Sequence, residues 1–190
     1  MDKPFLTDIK ELRQRARRDM EEGAVTEGYR ADRETVLRLL NEALATELVC
    51  VLRYKRHYYM AEGIHAQAVA VEFLEHANEE QGHADLIAER IVQLGGAPDM
   101  NPDSLLSRSH SEYIEGEDLV DMIREDLVAE RIAVDSYREM IEYLGDDDPT
   151  TRRRLEEILA TEEGHAEDLR ILIDALGRDE RTVLRESGKS

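Results

Sequence analysis

Two short motifs in this chain set a carboxylate and an imidazole three residues apart, Glu80-Gln-Gly-His83 and Glu162-Glu-Gly-His165. On a helix, positions three apart share a face, so each motif aims an oxygen and a nitrogen donor at the same point. Two further acids, Glu47 and Glu130, interrupt stripes that are otherwise apolar. Four buried carboxylates would repel one another. Two divalent cations cancel their charge, with two neutral imidazoles completing the coordination, so the set makes electrostatic sense as a dinuclear metal centre. Oxygen-rich ligation with one His per metal suits iron or manganese, iron first, and the lack of nearby thiolates argues against a tetrahedral zinc site. A lone Glu-x-x-His is readily explained by a buried Glu paired with Arg or Lys. Four coordinated occurrences favour the metal.

Long helices are needed to carry these residues. Asp32 is the expected N-cap of a helix running to about Glu62 and stopped at Gly63, roughly 40 Å long, with Val36, Leu40, Ala43, Glu47, Val51, Tyr54 and Tyr58 on one face. A helix from about His65 to Leu94 lines up Val69, Phe73, His76, Glu80, His83, Ile87 and Ile91, and Gly95-Gly96 ends it. The third, about 117–144, presents Leu119, Ile123, Asp126, Glu130, Val134, Tyr137, Ile141 and Leu144. The fourth, about Thr150 to Leu176, presents Leu155, Ile158, Glu162, His165, Leu169 and Leu172, with Gly177 as its expected end. Residues 95–116 carry Pro98 and Pro102 and no clear period, which predicts a long connection between two helical hairpins.

The halves match each other. Glu47 and Glu80 are 33 residues apart, Glu130 and Glu162 are 32 apart, and the segments EQGHA and EEGHA nearly coincide, which reads as an internal duplication. The expected fold is therefore all-α, a four-helix bundle over 32–177. Before it lies an extension, 1–31, with a short helix over 8–22 that begins near Thr7, ends at Gly23 and sets Ile9, Leu12, Ala16 and Met20 on one side; after it lies a polar tail, 178–190, in which Val183 and Leu184 support at most a turn or two of helix.

Composition agrees and narrows the options. The 190 residues include 44 acidic and 25 basic ones, a net charge of −19, which disfavours a general grip on nucleic acid and favours attraction of cations. With no Trp, 2 Phe and 4 Pro the chain is built for helices, not strands. Every apolar run is interrupted by charge well short of the roughly 18 residues of a membrane span, and the beginning of the sequence lacks the apolar run of a signal peptide. One cysteine, Cys50, can form no disulfide within the chain and is expected to be a small buried apolar residue. The expected compartment is the cytoplasm, with no membrane partner.

Several neighbours of the six donors invite roles. Asp126 is one turn before Glu130, and is expected to accept the free ring N–H of a ligand imidazole, His83, the alternative being an interhelical salt bridge. Tyr54 and Tyr137 lie seven residues beyond Glu47 and Glu130, two turns along the same faces and within reach of the centre. Gly82 and Gly164 sit inside helices at a cost, which close approach of another helix would explain. His76 shares the inner stripe with no role assigned.

Over roughly residues 33–176 the sequence resembles the bacterioferritin branch of the ferritin-like di-iron carboxylate proteins. The segments LNEALATELV, EEQGHADLIAERI, REDLVAERI and EEILATEEGHAEDL carry the resemblance. It implies that Glu47, Glu80, His83, Glu130, Glu162 and His165 bind two irons per subunit, Glu80 and Glu162 bridging them and Glu47 and Glu130 terminal, and that Tyr54 stands beside the centre. It further implies a ferroxidase that oxidises Fe²⁺ with dioxygen or hydrogen peroxide and stores Fe³⁺ as mineral inside a homo-oligomeric shell of 12 or 24 subunits. The chain departs from that branch in three places. Gln81 replaces the Met that holds haem, which argues against haem. Only the 178–190 tail corresponds to the family's short fifth bundle helix. The extension carries KELRQRARR, locally +4, like the basic arms of DNA-protecting relatives, although residues 1–31 balance at seven basic and seven acidic. Two alternatives to iron storage are therefore a DNA-protecting relative and a non-catalytic helical interaction protein whose polar core fixes register.

Overall fold

The computed structural model describes residues 8–64 and 66–187, with side chains as far as Leu176. In chain order its helices are α1 (Ile9–Arg15), α2 (Arg33–Met60), α3 (Ala66–Gln93), α4 (Leu105–Arg108), α5 (Leu119–Leu144) and α6 (Pro149–Ser187). Acids open three of the long helices. Asp32 accepts the Thr35 N–H at 2.8 Å, Asp118 the Asp121 N–H at 2.9 Å, and Asp148 the Thr151 N–H at 2.9 Å, each satisfying a donor that the first turn leaves unpaired. Glycines close two of them, Gly95 at φ +76° after α3 and Gly145 at φ +46° after α5, in backbone conformations that a side chain would strain.

The fold is all-helical, as expected. Helices α2 and α3 form one hairpin and α5 and α6 the other; α2 also packs on α5, and α3 on α6. Tyr54 meets Glu130 and Tyr137 meets Glu47, so α2 and α5 run antiparallel and the long connection must climb the length of the bundle. That connection is not wholly irregular. The short α4 packs against α2, and Arg108 donates to the carbonyls of Asn41 and Asp99, both at 2.9 Å.

The apolar core is in two parts. One holds Leu40, Leu44, Ile87, Ile91, Leu144, Leu155 and Ile158; the other holds Cys50, Val69, Phe73, Ile123 and Leu169. Burying each large side chain contributes about 1.5–3 kcal/mol, so the two clusters hold the helices together on either side of a polar layer. Cys50 is buried as expected. Among the described residues no helix is long and apolar enough to cross a membrane.

Three expectations about the ends of elements change. Helix α1 stops at Arg15, and a separate 3-10 turn covers Met20–Glu22 after Asp19, whose φ of +46° breaks the run. Ile9 and Met20 are 63% and 72% exposed, so nothing among the described residues anchors the apolar side that would extend the helix. The basic residues there are partly matched, Arg18 with Glu27 at 3.3 Å and Arg15 with Glu11 at 3.9 Å. Helix α6 does not end at Gly177 but runs on to Ser187. The expected starts at Thr7 and His65, and the side chains of Val183 and Leu184, lie outside the described residues.

Close helix approach does not explain Gly82 and Gly164 either, since a Cβ added at either meets nothing within 4 Å. Gly82→Ala and Gly164→Ala should each stabilise the metal-free chain by about 0.5–1 kcal/mol, measured as a shift of the denaturant midpoint at constant slope.

Candidate metal centre

The polar layer between the two apolar clusters holds all six donors: Glu47 from α2, Glu80 and His83 from α3, Glu130 from α5, Glu162 and His165 from α6. All six are buried. Donor atoms of Glu47, Glu80, His83 and Glu162 lie within 4.8 Å of one another, and so do those of Glu80, Glu130, Glu162 and His165. The two groups share Glu80 and Glu162, a pattern that suits two adjacent cations. His83 Nδ1 is 2.8 Å from Glu162, 3.4 Å from Glu47 and 3.6 Å from Glu80. His165 Nδ1 is 3.4 Å from Glu80, 3.5 Å from Glu162 and 3.8 Å from Glu130.

These atoms converge with no hydrogen bond of good geometry among them. Buried side-chain polar atoms lacking a hydrogen bond include Glu47 Oε2, Glu80 Oε1, His83 Nδ1, both oxygens of Glu162 and His165 Nδ1; among the described residues the others are Arg15 Nε and Ser111 Oγ. An unpaired buried polar atom costs about 1–3 kcal/mol, more when charged, so a cluster of six calls for a cation between them. The donor set of carboxylates and imidazoles fits iron or manganese.

The surrounding residues orient the donors. Tyr54 donates to Glu130 across the bundle and Tyr137 donates to Glu47, so each half's tyrosine holds the other half's acid. Burial, and then the adjacent carboxylates, push both phenols far above their usual range, so they remain donors. Glu79 Oε2 lies 2.6 Å from His165 Nε2, which fixes the proton there and leaves Nδ1 to face the centre. His76 stacks on His165 with ring centroids 3.9 Å apart, and its Nδ1 is 3.2 Å from the Tyr54 hydroxyl. Burial and His165 together hold His76 down at about 4.

Asp126 does not hold His83. It accepts from Arg53 Nε at 2.9 Å and pairs with His57 Nδ1 at 2.8 Å, the salt-bridge alternative. Arg53 also donates to the Glu112 carbonyl at 2.8 Å, and His57 Nε2 faces the carbonyls of Ile114 and Glu115 at 3.2 and 3.1 Å, so this network fastens the connection to the bundle. Glu79 was hidden because it lies beside the inner stripe, and Arg53 because its stem crosses a face that the apolar period leaves blank.

Without metal the layer carries its own protons. Burial opposes a charge on His83, but Glu162, Glu47 and Glu80 outweigh it and hold the imidazolium up to about 12. Burial and then the charges of Glu130 and Glu47 push Glu162 up to about 8, while Glu130, despite burial, is held at about 2 by His165 and Glu162. Above pH 4.5 the folded state therefore binds more protons than the unfolded one, at Glu162 and Glu47 and, above 6.5, at His83, which outweighs the proton that His76 gives up on folding below 6.5. Stability of the metal-free protein should fall as pH rises from 5 to 8. Metal needs deprotonated donors, so the metal-loaded protein should lose none of its advantage over that window; paired unfolding curves at pH 5 and 8 measure both.

Residues 37–178 match the family model of the ferritin-like domain. The chain belongs to the ferritin-like family. Its ferritin-like relatives include the bacterioferritin of Brucella melitensis, 32% identical over 146 residues, covering 75% of this chain and 85% of that one. Among solved structures, a dodecameric thioferritin, the bacterioferritin-related protein of Bacteroides fragilis, superposes with a TM-score of 0.78 at 31% identity, over 80% of this chain and 92% of that one. The bacterioferritin of Rhodobacter capsulatus, described with a metal-free dinuclear site and a haem iron, superposes with a TM-score of 0.69 at 30% identity, over 78% of this chain and 89% of that one. These likenesses place this ferritin-like chain in the bacterioferritin branch.

Proposed function

We propose that the protein is an iron-storage ferroxidase whose dinuclear centre is made by Glu47, Glu80, His83, Glu130, Glu162 and His165. The convergence of six unpaired buried donor atoms on one point between the helices carries this reading. Glu47 and His83 hold one ion, Glu130 and His165 the other, and Glu80 and Glu162 span both. Bound there, two Fe²⁺ supply the electrons that reduce dioxygen or hydrogen peroxide and leave as Fe³⁺ cargo.

The protein's own groups do the rest. Tyr54 and Tyr137 each fix one oxygen of a terminal carboxylate, leaving the other to face the ion, and Glu79 sets the His165 tautomer. Tyr54, bonded to Glu130, is also an oxidisable side chain placed against the centre, as is Tyr137, bonded to Glu47. Protons displaced from His83, His165 and Glu162 when iron binds are available to the reduced oxidant. Gln81 offers a carboxamide that donates to Asp85 at 3.0 Å and no thioether, so the reading involves no haem. A homo-oligomeric shell in the cytoplasm retains the product, and the dodecameric neighbour supports twelve subunits over twenty-four.

Aerobic addition of Fe²⁺ in large excess over protein tests this. The iron should cosediment with the protein as one large particle whose protein mass matches the shell. Iron precipitating apart from a small oligomer would refute storage.

A further inference from the structure

One side of the bundle carries donors that the dinuclear centre does not use. Donor atoms of Glu72 and His76 on α3 and of Asp168 on α6 lie within 4.8 Å of one another, and His76 belongs as well to a group with Glu130 and His165. His76 is only 2% exposed, Glu72 is half-buried and Asp168 faces outward, so the three descend from the surface to the centre.

The hydrogen bonds around His76 determine what it offers. Tyr54 has one hydroxyl proton and gives it to Glu130. His76 Nδ1, 3.2 Å from that hydroxyl oxygen, must then be the donor, which leaves the lone pair of the neutral ring on Nε2. That lone pair faces Glu72 Oε1 at 3.4 Å and makes no hydrogen bond. A lone pair aimed at carboxylates is repulsive by itself and is what a cation between them would satisfy. Burial and the like charges of Asp168 and Glu75 raise the Glu72 carboxyl, as expected of acids crowded without a partner.

The repeat provides a control. Shifted by the 82 residues that separate Glu80 from Glu162, the positions of Glu72, His76 and Asp168 become Arg154, Ile158 and Leu86. There Ile158 is plain core, and Arg154 donates to the Leu86 carbonyl at 3.2 Å. The bundle thus packs these positions without any donor set, and the polar version is a feature of one side only.

We propose that Glu72, His76 and Asp168 form a third divalent-cation site, a staging post that delivers Fe²⁺ to the His165 side of the centre. As a delivery site it rests on the ferroxidase reading; as a binding site it stands alone. Zn²⁺, which does not turn over, separates the two. Calorimetric titration of the metal-free assembly, with anomalous diffraction at the zinc edge, should give three ions per chain, one of them between Glu72, His76 and Asp168. The surface double variant Glu72→Gln/Asp168→Asn should keep two ions, lose that third peak, and slow Fe²⁺ oxidation about tenfold at limiting iron, in the range of electrostatic steering effects. An unchanged ion count and an absent peak at these residues would overturn the proposal. A wild-type chain binding one ion, at these residues, would uphold it while removing the dinuclear reading.

Discussion

Glu162→Gln should abolish metal binding at both positions of the centre and cut the fast phase of Fe²⁺ oxidation by more than about 100-fold, the upper end of what outer ligand partners alone produce. Glu162 is the acid whose two oxygens are both buried and unpaired, one 2.8 Å from His83 Nδ1 and the other 3.5 Å from His165 Nδ1. Losing it empties both donor groups at once. The same change should leave the metal-free protein at least as stable as the original, and more stable by about 1 kcal/mol or more at pH 8, because an acid held at about 8 by burial and by Glu130 and Glu47 no longer has to ionise among like charges. Lost function with gained apo stability is the signature of a binding site; a purely structural polar core would lose stability and keep its oligomer weakly or not at all. Stopped-flow absorbance and denaturant unfolding on the same preparation read both quantities.

Asp126→Asn should have the opposite profile. Arg53 and Asp126 are 1% and 0% exposed, so removing the carboxylate charge leaves a guanidinium buried without its counter-ion, a loss of about 3–5 kcal/mol. Part of the cost falls on the connection, since Arg53 and His57 fasten the carbonyls of residues 112, 114 and 115. Zn²⁺ stoichiometry should not change, because Asp126 touches no donor of the centre. The paired change Arg53→Met/Asp126→Leu should recover most of the lost stability, as apolar replacement of a buried ion pair does elsewhere. A drop in metal affinity with unchanged stability would instead return Asp126 to the role of a histidine partner.

The contrast between these two acids shows what was readable in the sequence. Glu162 and Glu47 stand on apolar stripes with steps of three and four, so the helical period alone assigned them to the interior, and Asp32 and Gly95 marked the helix ends by their own backbone chemistry. Asp126 stands on the same stripe, yet its partner depends on the register of α5 against α2, which no local pattern encodes. Glu79 and His76 were beyond reach for related reasons. Glu79 lies off the stripe and matters only because α6 brings His165 beside it, and His76 looks like any core histidine until Tyr54, Glu130 and Glu72 are placed around it. The end of α6 failed differently, because a single glycine costs a helix only about 1 kcal/mol and does not stop one that its neighbours favour.

The central claim is that the buried layer binds and oxidises iron. Anaerobic titration of the metal-free assembly with Fe²⁺, followed by admission of air, tests it most directly. The account predicts that the rapidly oxidised iron saturates at two ions per chain, with an optical signature absent from Glu162→Gln. Oxidation no faster than in buffer, at every ratio of iron to protein, would contradict it.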